Sequence, residues 1–386
     1  MKDASVRAML THSGEIRPMT GVRGIAALSV VALHFYDHAG AATRPWQHAY
    51  LAVDLFFMLS GLVLALTYSS TVTLGAGREP YIAFVKKRIA RVFPLYIAVT
   101  FVQTAFDISK HIARGVPMPD TWEPKAMIAN LFLVQSWGLS SSIVLPAWSL
   151  STELAAYMLF PVLVALTIRS RTAVAWGVTV SSVALLLAAS AGCHDSGTTC
   201  IGFLAVVQGD TPYPLMRCIA GFTFGLIGYR LVNQPRIRTM VSTDLFAVLS
   251  VAGTVAAYCA GYHDLVIYVL LFATVIACSG NSRAANFMFG NRVVFFLGKI
   301  SFSVYLIHML LFPAVRRIQA FSDAHFGSLS GVFSASVMFL AVLVLATVTY
   351  HLIEVPGKRF MMGLMSRKKR KDAERSSASG DGIDAV

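Results

Sequence analysis

Long apolar stretches separated by short polar or basic loops dominate the chain. A helix that crosses a bilayer takes about 20 apolar residues. On that measure the pattern predicts ten spans, at residues 20–38, 48–68, 92–107, 147–168, 172–191, 213–232, 243–261, 264–280, 293–313 and 331–353. A further apolar stretch, Ala126–Leu139, is too short to cross and sits among Pro117, Pro119, Pro124 and Pro146. It reads as a re-entrant or interfacial segment on the outer side. The fold class expected is an all-α polytopic membrane protein of about ten transmembrane helices plus that short segment.

Composition agrees, with 56% hydrophobic and only 13% charged residues in 386. A soluble domain carries nearer 25% charged residues. The net charge of +13 does not point to nucleic acid, because the Lys and Arg gather in short loops and the tail. That distribution is the one cytoplasmic positive charge produces in membrane proteins. Arg and Lys in REPYIAFVKKRIARVFPLY, Arg169, Arg171, Arg230, Arg236, Arg238, Arg283, Arg292 and the RKKRK tail place both termini inside. Arg316 and Arg317, in an outer loop, are the exception.

Residues 1–19 then form a cytoplasmic lead-in without the apolar core of a signal peptide, residues 20–360 the membrane domain, and residues 361–386 a basic, then disordered tail. The loop at 192–212 falls outside, so Cys193 and Cys200 are either a disulfide or two unpaired thiols. No CxxC, HExxH or Cys/His cluster suggests a metal, and no GxSxG elbow is present. No repeat of fixed period is evident.

The polar residues inside the spans carry the chemistry. Arg23 and His34 are eleven residues apart, so on a helix they share one face with about 16 Å of rise between them. An ionisable group at such depth is a functional candidate, although a buried histidine bonded to a neighbouring helix is the bland alternative. Asp54 and Glu153 lie near the outer ends of their spans, where either carboxylate can orient His34 or serve packing and capping. Ser149 and Ser151 suit capping as well as chemistry. Arg88 and Arg91 share a face at the cytoplasmic mouth of the third span and suit phosphates. Lys299 sits at the inner end of LGKISFSVYLIH, which also carries Ser301, Ser303, Tyr305 and His308, and Glu354 ends the last span. Sorted by depth, cations gather inside while His34, Asp54 and Glu153 sit in the outer half. This suggests an anionic ligand entering from the cytoplasm and acid–base chemistry further out. An enzyme, a secondary transporter or flippase of an anionic or lipid-linked solute, and a structural partner of a polysaccharide synthase all remain open on this ground.

Five blocks in order, GVRGIAALSVVALHF, AVDLFFMLSG, KKRIARVFPLY, PAWSLSTELAAY and LGKISFSVYLIH, with HLIEVPGKRF as a sixth, cover about residues 20–360. Together they resemble the acyltransferase family 3 membrane proteins, the O-acetylases of lipopolysaccharide, peptidoglycan and exopolysaccharides. The resemblance implies transfer of an acyl group, usually acetyl, from cytoplasmic acetyl-CoA to a sugar hydroxyl at the outer face. CoA is then a donor substrate and no cofactor is bound permanently. The family's Arg-x10-His corresponds to Arg23 and His34, its arginine pair to Arg88 and Arg91, and its WSLS-x-E glutamate to Glu153.

On this reading His34 is either the general base or a covalent acyl carrier. Asp54 or Glu153 steadies its ring, and Arg23, Arg88, Arg91 and Lys299 hold the CoA phosphates. Expected partners are acyl-CoA, a carbohydrate or glycolipid acceptor, the lipid bilayer of a bacterial inner membrane, and polysaccharide-assembly proteins. Exopolysaccharide, O-antigen, a periplasmic glucan, a glycolipid or a macrolide all suit as acceptor. The extracytoplasmic hydrolase-like domain of some members is not seen, so the reaction is expected to finish in the membrane domain or on a separate protein.

Overall fold

Twenty residues of α-helix rise about 30 Å, one hydrocarbon thickness, and the apolar stretches fold to that length. A computed structural model describes residues 15–38, 46–192, 202–207 and 209–366. In chain order the main helices are α1 (Arg17–His38), α2 (Ala52–Tyr68, entered through a 3-10 turn at Trp46–Leu51), α3 (Arg78–Arg114) and α4 (Pro124–Leu131). They continue with α5 (Ala147–Thr167), α6 (Thr172–Ser190), α7 (Tyr213–Val232) and α8 (Pro235–Val241). The last are α9 (Asp244–Ala260), α10 (Asp264–Gly280), α11 (Arg292–Phe326) and α12 (Ser330–Thr349). Among the described residues there is no strand. Eight helices are long and apolar enough to cross a membrane there, or ten if two bent pairs each make one crossing. The pairs are α8 with α9, bent by 68°, and α10 with Arg283–Gly290, bent by 103°. The protein is an all-α, multi-pass membrane protein.

Each of the ten expected spans is helical, but three helices overrun their expected ends. The third was expected at 92–107 and is a 37-residue helix. Lys and Arg are good helix formers whose heads reach water while their stems stay apolar, so KKRIAR prolongs the helix instead of ending it. For the same reason α11 runs 35 residues. Beyond α12 a π-helical turn at Tyr350–Glu354 leads into a helix that ends at Ser366, past the expected boundary at 360. Residues 1–14 of the lead-in, the pair Cys193 and Cys200, and the tail from 367 lie outside the described residues.

The short stretch at 126–139 does not cross. Only eight residues form α4, and Asn130 then pins the returning chain. Its side-chain amide donates to the Ser141 carbonyl at 3.0 Å, and its Oδ1 accepts from the Ile143 amide at 2.9 Å.

Two glycine contacts set the helix packing. A Cβ at Gly298 would stand 2.0 Å from the Thr20 carbonyl oxygen, and one at Gly24 would stand 2.6 Å from the Gly298 amide. Helices α1 and α11 therefore touch backbone to backbone, as small residues allow in membranes. Gly61 of α2 and Gly225 of α7 make the second such contact. Gly298→Leu is expected to separate α1 from α11 and destabilise the protein by about 1–3 kcal/mol or more. A lowered thermal midpoint in detergent would register this, and an unchanged midpoint would contradict the packing.

Candidate active site

The α1–α11 contact carries both ends of the site. Lys299 follows the Gly298 contact and Arg23 precedes that of Gly24. Ten residues further along each helix, His34 meets His308, with ring centroids 5.3 Å apart and planes tilted by 29°. Constant offset over ten residues is what two parallel helices in fixed register produce. One α-helix carries Arg23 and His34, which places them about 16 Å apart along its axis.

At the Arg23 end of this seam a cavity of about 420 Å³ is lined by Arg23, Arg91, Lys299 and Lys358, with the carboxylates of Glu15 and Glu354. Glu354 is held by Ser303, whose hydroxyl donates to it at 2.7 Å. The wide turn at Tyr350–Glu354 is the local irregularity that aims this carboxylate inward, a common use of π-turns at functional sites. A smaller cavity of about 50 Å³ lies deeper, lined by Arg23, Arg88, Arg91, Ser60, Glu153 and Tyr157. Arg23 and Arg91 border both. Ser60 donates to the Glu153 carboxylate, and the buried Nε of Arg88 has no hydrogen-bond partner among the described residues. A chamber with several cations and an unused guanidinium donor is suited to a phosphate or another compact anion.

Glu153 lies six residues into α5, about 9 Å from the helix start. Arg23 lies six residues into α1. Long side chains bring the two to the lining of one cavity. Helix α11 connects this chamber to His34 in steps of three residues. Phe302 lines the chamber, and the Tyr305 hydroxyl is 2.8 Å from that of Ser149. Nδ1 of His308 is 2.7 Å from the Tyr305 carbonyl oxygen. Ser151 serves the fold elsewhere. Its hydroxyl accepts from the Ser136 amide at 3.1 Å, and its carbonyl accepts from Trp137 Nε1 at 2.8 Å. These bonds tie the returning outer segment to α5.

Asp54 was expected either to orient His34, as one of two candidate carboxylates, or to serve packing, and it forms a bidentate ion pair with Arg217, at 3.0 Å from Nε and 2.6 Å from Nη2. Both side chains are fully buried. Arg217 also donates to the Tyr50 and Val206 carbonyls and lies over the Trp148 ring. A carboxylate engaged by both arms of a guanidinium is a structural counter-ion. Nearby, Asp264 accepts from Tyr50, from the Leu204 amide and from His48. The chain at 202–207 is thereby fastened to α10. The aromatic neighbours of His34 include His308 and Phe312, the latter 6.1 Å away and edge-on.

With the geometry in place, comparison with known proteins gives the family. The acyltransferase 3 family, described as an acyltransferase domain, matches residues 18–351. The chain belongs to the acyltransferase 3 family. It is similar to the acyltransferase MdmB of Streptomyces mycarofaciens, 25% identical over 91% of this chain and 92% of that protein. It is also similar to protein 2 in the picA locus of Rhizobium radiobacter, 35% identical over 35% of this chain and 75% of that one. A Staphylococcus aureus (strain MSSA476) protein named provisionally as the O-acetyltransferase SAS0844 is 24% identical over 90% of this chain and 59% of its own length. No solved structure matches.

In this membrane acyltransferase the structure brings Arg23, Arg88, Arg91 and Glu153 to one chamber, with Lys299 at its mouth and His34 at the far end of the α1–α11 seam. Asp54 stands apart. The sequence reading missed Arg217, Lys358 and Tyr157, and gave His308 no role. A lone arginine within PLMRCIAGFTFGLIGY is the signal that marks Arg217, because an intramembrane charge implies a partner. Lys358→Ala is expected to weaken binding of an anionic ligand in the larger cavity about three- to tenfold, the scale of one charged contact. Titration with coenzyme A checks this, and unchanged affinity would remove Lys358 from the anion site.

Proposed function

We propose that this acyltransferase moves an acyl group, most simply acetyl, from cytoplasmic acyl-CoA to a hydroxyl of a carbohydrate at the outer face of a bacterial inner membrane. Exopolysaccharide, O-antigen and related glycans are the acceptors that fit, and both termini are cytoplasmic. The observation that carries the reading is the single seam from a cationic inner mouth to His34. CoA brings several negative charges, and Arg23, Arg88, Arg91, Lys299 and Lys358 offer them guanidinium and ammonium partners. An extended pantetheine arm then passes along α11 toward His34.

His34 takes the proton of the acceptor hydroxyl as its oxygen attacks the thioester carbonyl carbon. The C–O bond forms, the C–S bond breaks, and the imidazolium returns its proton to the departing CoA sulfur. Glu153, bonded to Ser60, lines the same chamber as Arg23, Arg88 and Arg91 and offsets part of their positive charge. A polysaccharide-assembly protein is the natural supplier of acceptor.

The test compares ester-linked acetyl on surface glycans of the host with and without this gene. Acetyl that disappears on deletion and returns with the native protein supports the reading. Unchanged acetylation on deletion contradicts it.

A further inference from the structure

Proton transfer at His34 leaves His308 unused, yet His308 is fully buried and its ring lies against His34. Phe312 stands edge-on to both rings, with centroids 6.1 Å from His34 and 5.7 Å from His308. The pair is therefore held by a third ring. The hydrogen bond of His308 fixes its chemical state. Its Nδ1 is 2.7 Å from the Tyr305 carbonyl oxygen. A carbonyl only accepts, so Nδ1 carries a proton, and when the ring is neutral that proton is its only one. Tyr305 is itself tied to α5 through Ser149, which makes this turn of α11 a rigid mount.

Two adjacent imidazoles in an apolar interior do not both carry charge at acceptable cost. His308 is fully buried, while His34 is half-buried. In the proposed reaction His34 is the ring that takes the hydroxyl proton, so the charge develops on His34 and His308 faces it as the neutral partner. A neutral ring stacked on one that becomes cationic offers its π face to that cation.

From this geometry we infer that His308 is a positioning residue for acyl transfer. It is a neutral imidazole, locked in one tautomer by the Tyr305 carbonyl, whose face supports the imidazolium that His34 becomes as it accepts the hydroxyl proton. The inference rests on His34 being that proton acceptor. It names a role that simple packing does not supply, because an aliphatic side chain fills space equally well but has no π face.

The experiment uses the full-length protein in host membranes that contain the native acceptor, with radiolabelled acetyl-CoA as donor. Base-labile label is measured for native protein, His34→Ala, His308→Leu and His308→Phe at matched expression. His308→Leu is expected to lower kcat about tenfold, the scale of a desolvated cation–π contact, with KM for acetyl-CoA near native. His308→Phe restores most of that loss, because it keeps an aromatic face without a titratable nitrogen.

Native rates in His308→Leu would show that no ring is needed and overturn the inference. A His308→Phe protein as inactive as His34→Ala would overturn it too, since His308 would then be exchanging protons itself. Should His308→Phe fail to fold, ¹⁵N NMR of histidine-labelled native protein in liposomes decides. A protonated Nδ1 with an unprotonated Nε2 on His308 is expected, and the opposite tautomer refutes the lock. Native transfer by His34→Ala defeats the proton-acceptor reading and this inference together. With His34→Ala silent, the His308 variants judge His308 alone.

Discussion

Replacing His34 with alanine is expected to lower acetyl transfer from acetyl-CoA by about 10²–10⁴-fold, the usual contribution of a positioned general base. Little else should change. The ring is half-buried and packs on His308 and Phe312, so its loss leaves the α1–α11 glycine seam intact. Arg23, the proposed donor contact on the same helix, lies about 16 Å away along α1, so KM for acetyl-CoA should stay near native. An interaction made only in the transition state has this signature, a fall in kcat and in kcat/KM together. Initial rates, read beside a thermal midpoint in detergent, distinguish lost chemistry from lost folding. Near-native transfer at equal expression would remove His34 from the reaction.

The second large effect concerns stability. Asp54→Ala and Arg217→Ala each strand a fully buried charge, which costs about 3–5 kcal/mol. The double variant Asp54→Leu/Arg217→Met should be more stable than either truncation, because apolar groups of similar volume replace a buried pair without leaving an unmatched charge. Thermal unfolding in detergent should show midpoints lowered by several degrees in the single variants and partly recovered in the double one. The double variant should also transfer acetyl at a temperature where it is folded. A folded double variant that is inactive would return Asp54 to the reaction. Single variants with a native midpoint would show that the pair contributes little.

Much of this architecture was legible because the bilayer constrains it so strongly. Length and hydropathy mark each crossing, and Asn130 together with the surrounding prolines explains why Ala126–Leu139 turns back. Helix ends were less legible. Nothing in KKRIAR breaks a helix, so the sequence offers no stop where the membrane ends. Periodicity placed Arg23 and His34 on one face of α1, since that follows from the rise and turn of a single helix. Residues on different helices were harder, because relative depth depends on where each helix begins. Glu153 of α5 and Arg23 of α1 line one cavity, a meeting that neither span shows by itself. Asp54 was a candidate partner of His34 because both belong to the outer halves of their spans, while the arginine it pairs with, Arg217, comes 163 residues later. The register of α1 against α11 is set by Gly24 and Gly298, and it is this contact that turns His308 into a neighbour of His34. A small residue followed ten positions later by histidine, once on each helix, is the pattern that could have revealed it.

Sidedness of the donor tests the central claim most directly. Membrane vesicles containing the protein can be prepared inverted, with the cytoplasmic face outward, or right side out, and given radiolabelled acetyl-CoA from outside. Base-labile label should appear in the inverted vesicles alone and fall sharply with Arg23→Ala, whose guanidinium borders both inner cavities. Equal labelling of sealed right-side-out vesicles, or inverted vesicles that label as well without Arg23, would contradict a donor that enters through the cationic inner mouth.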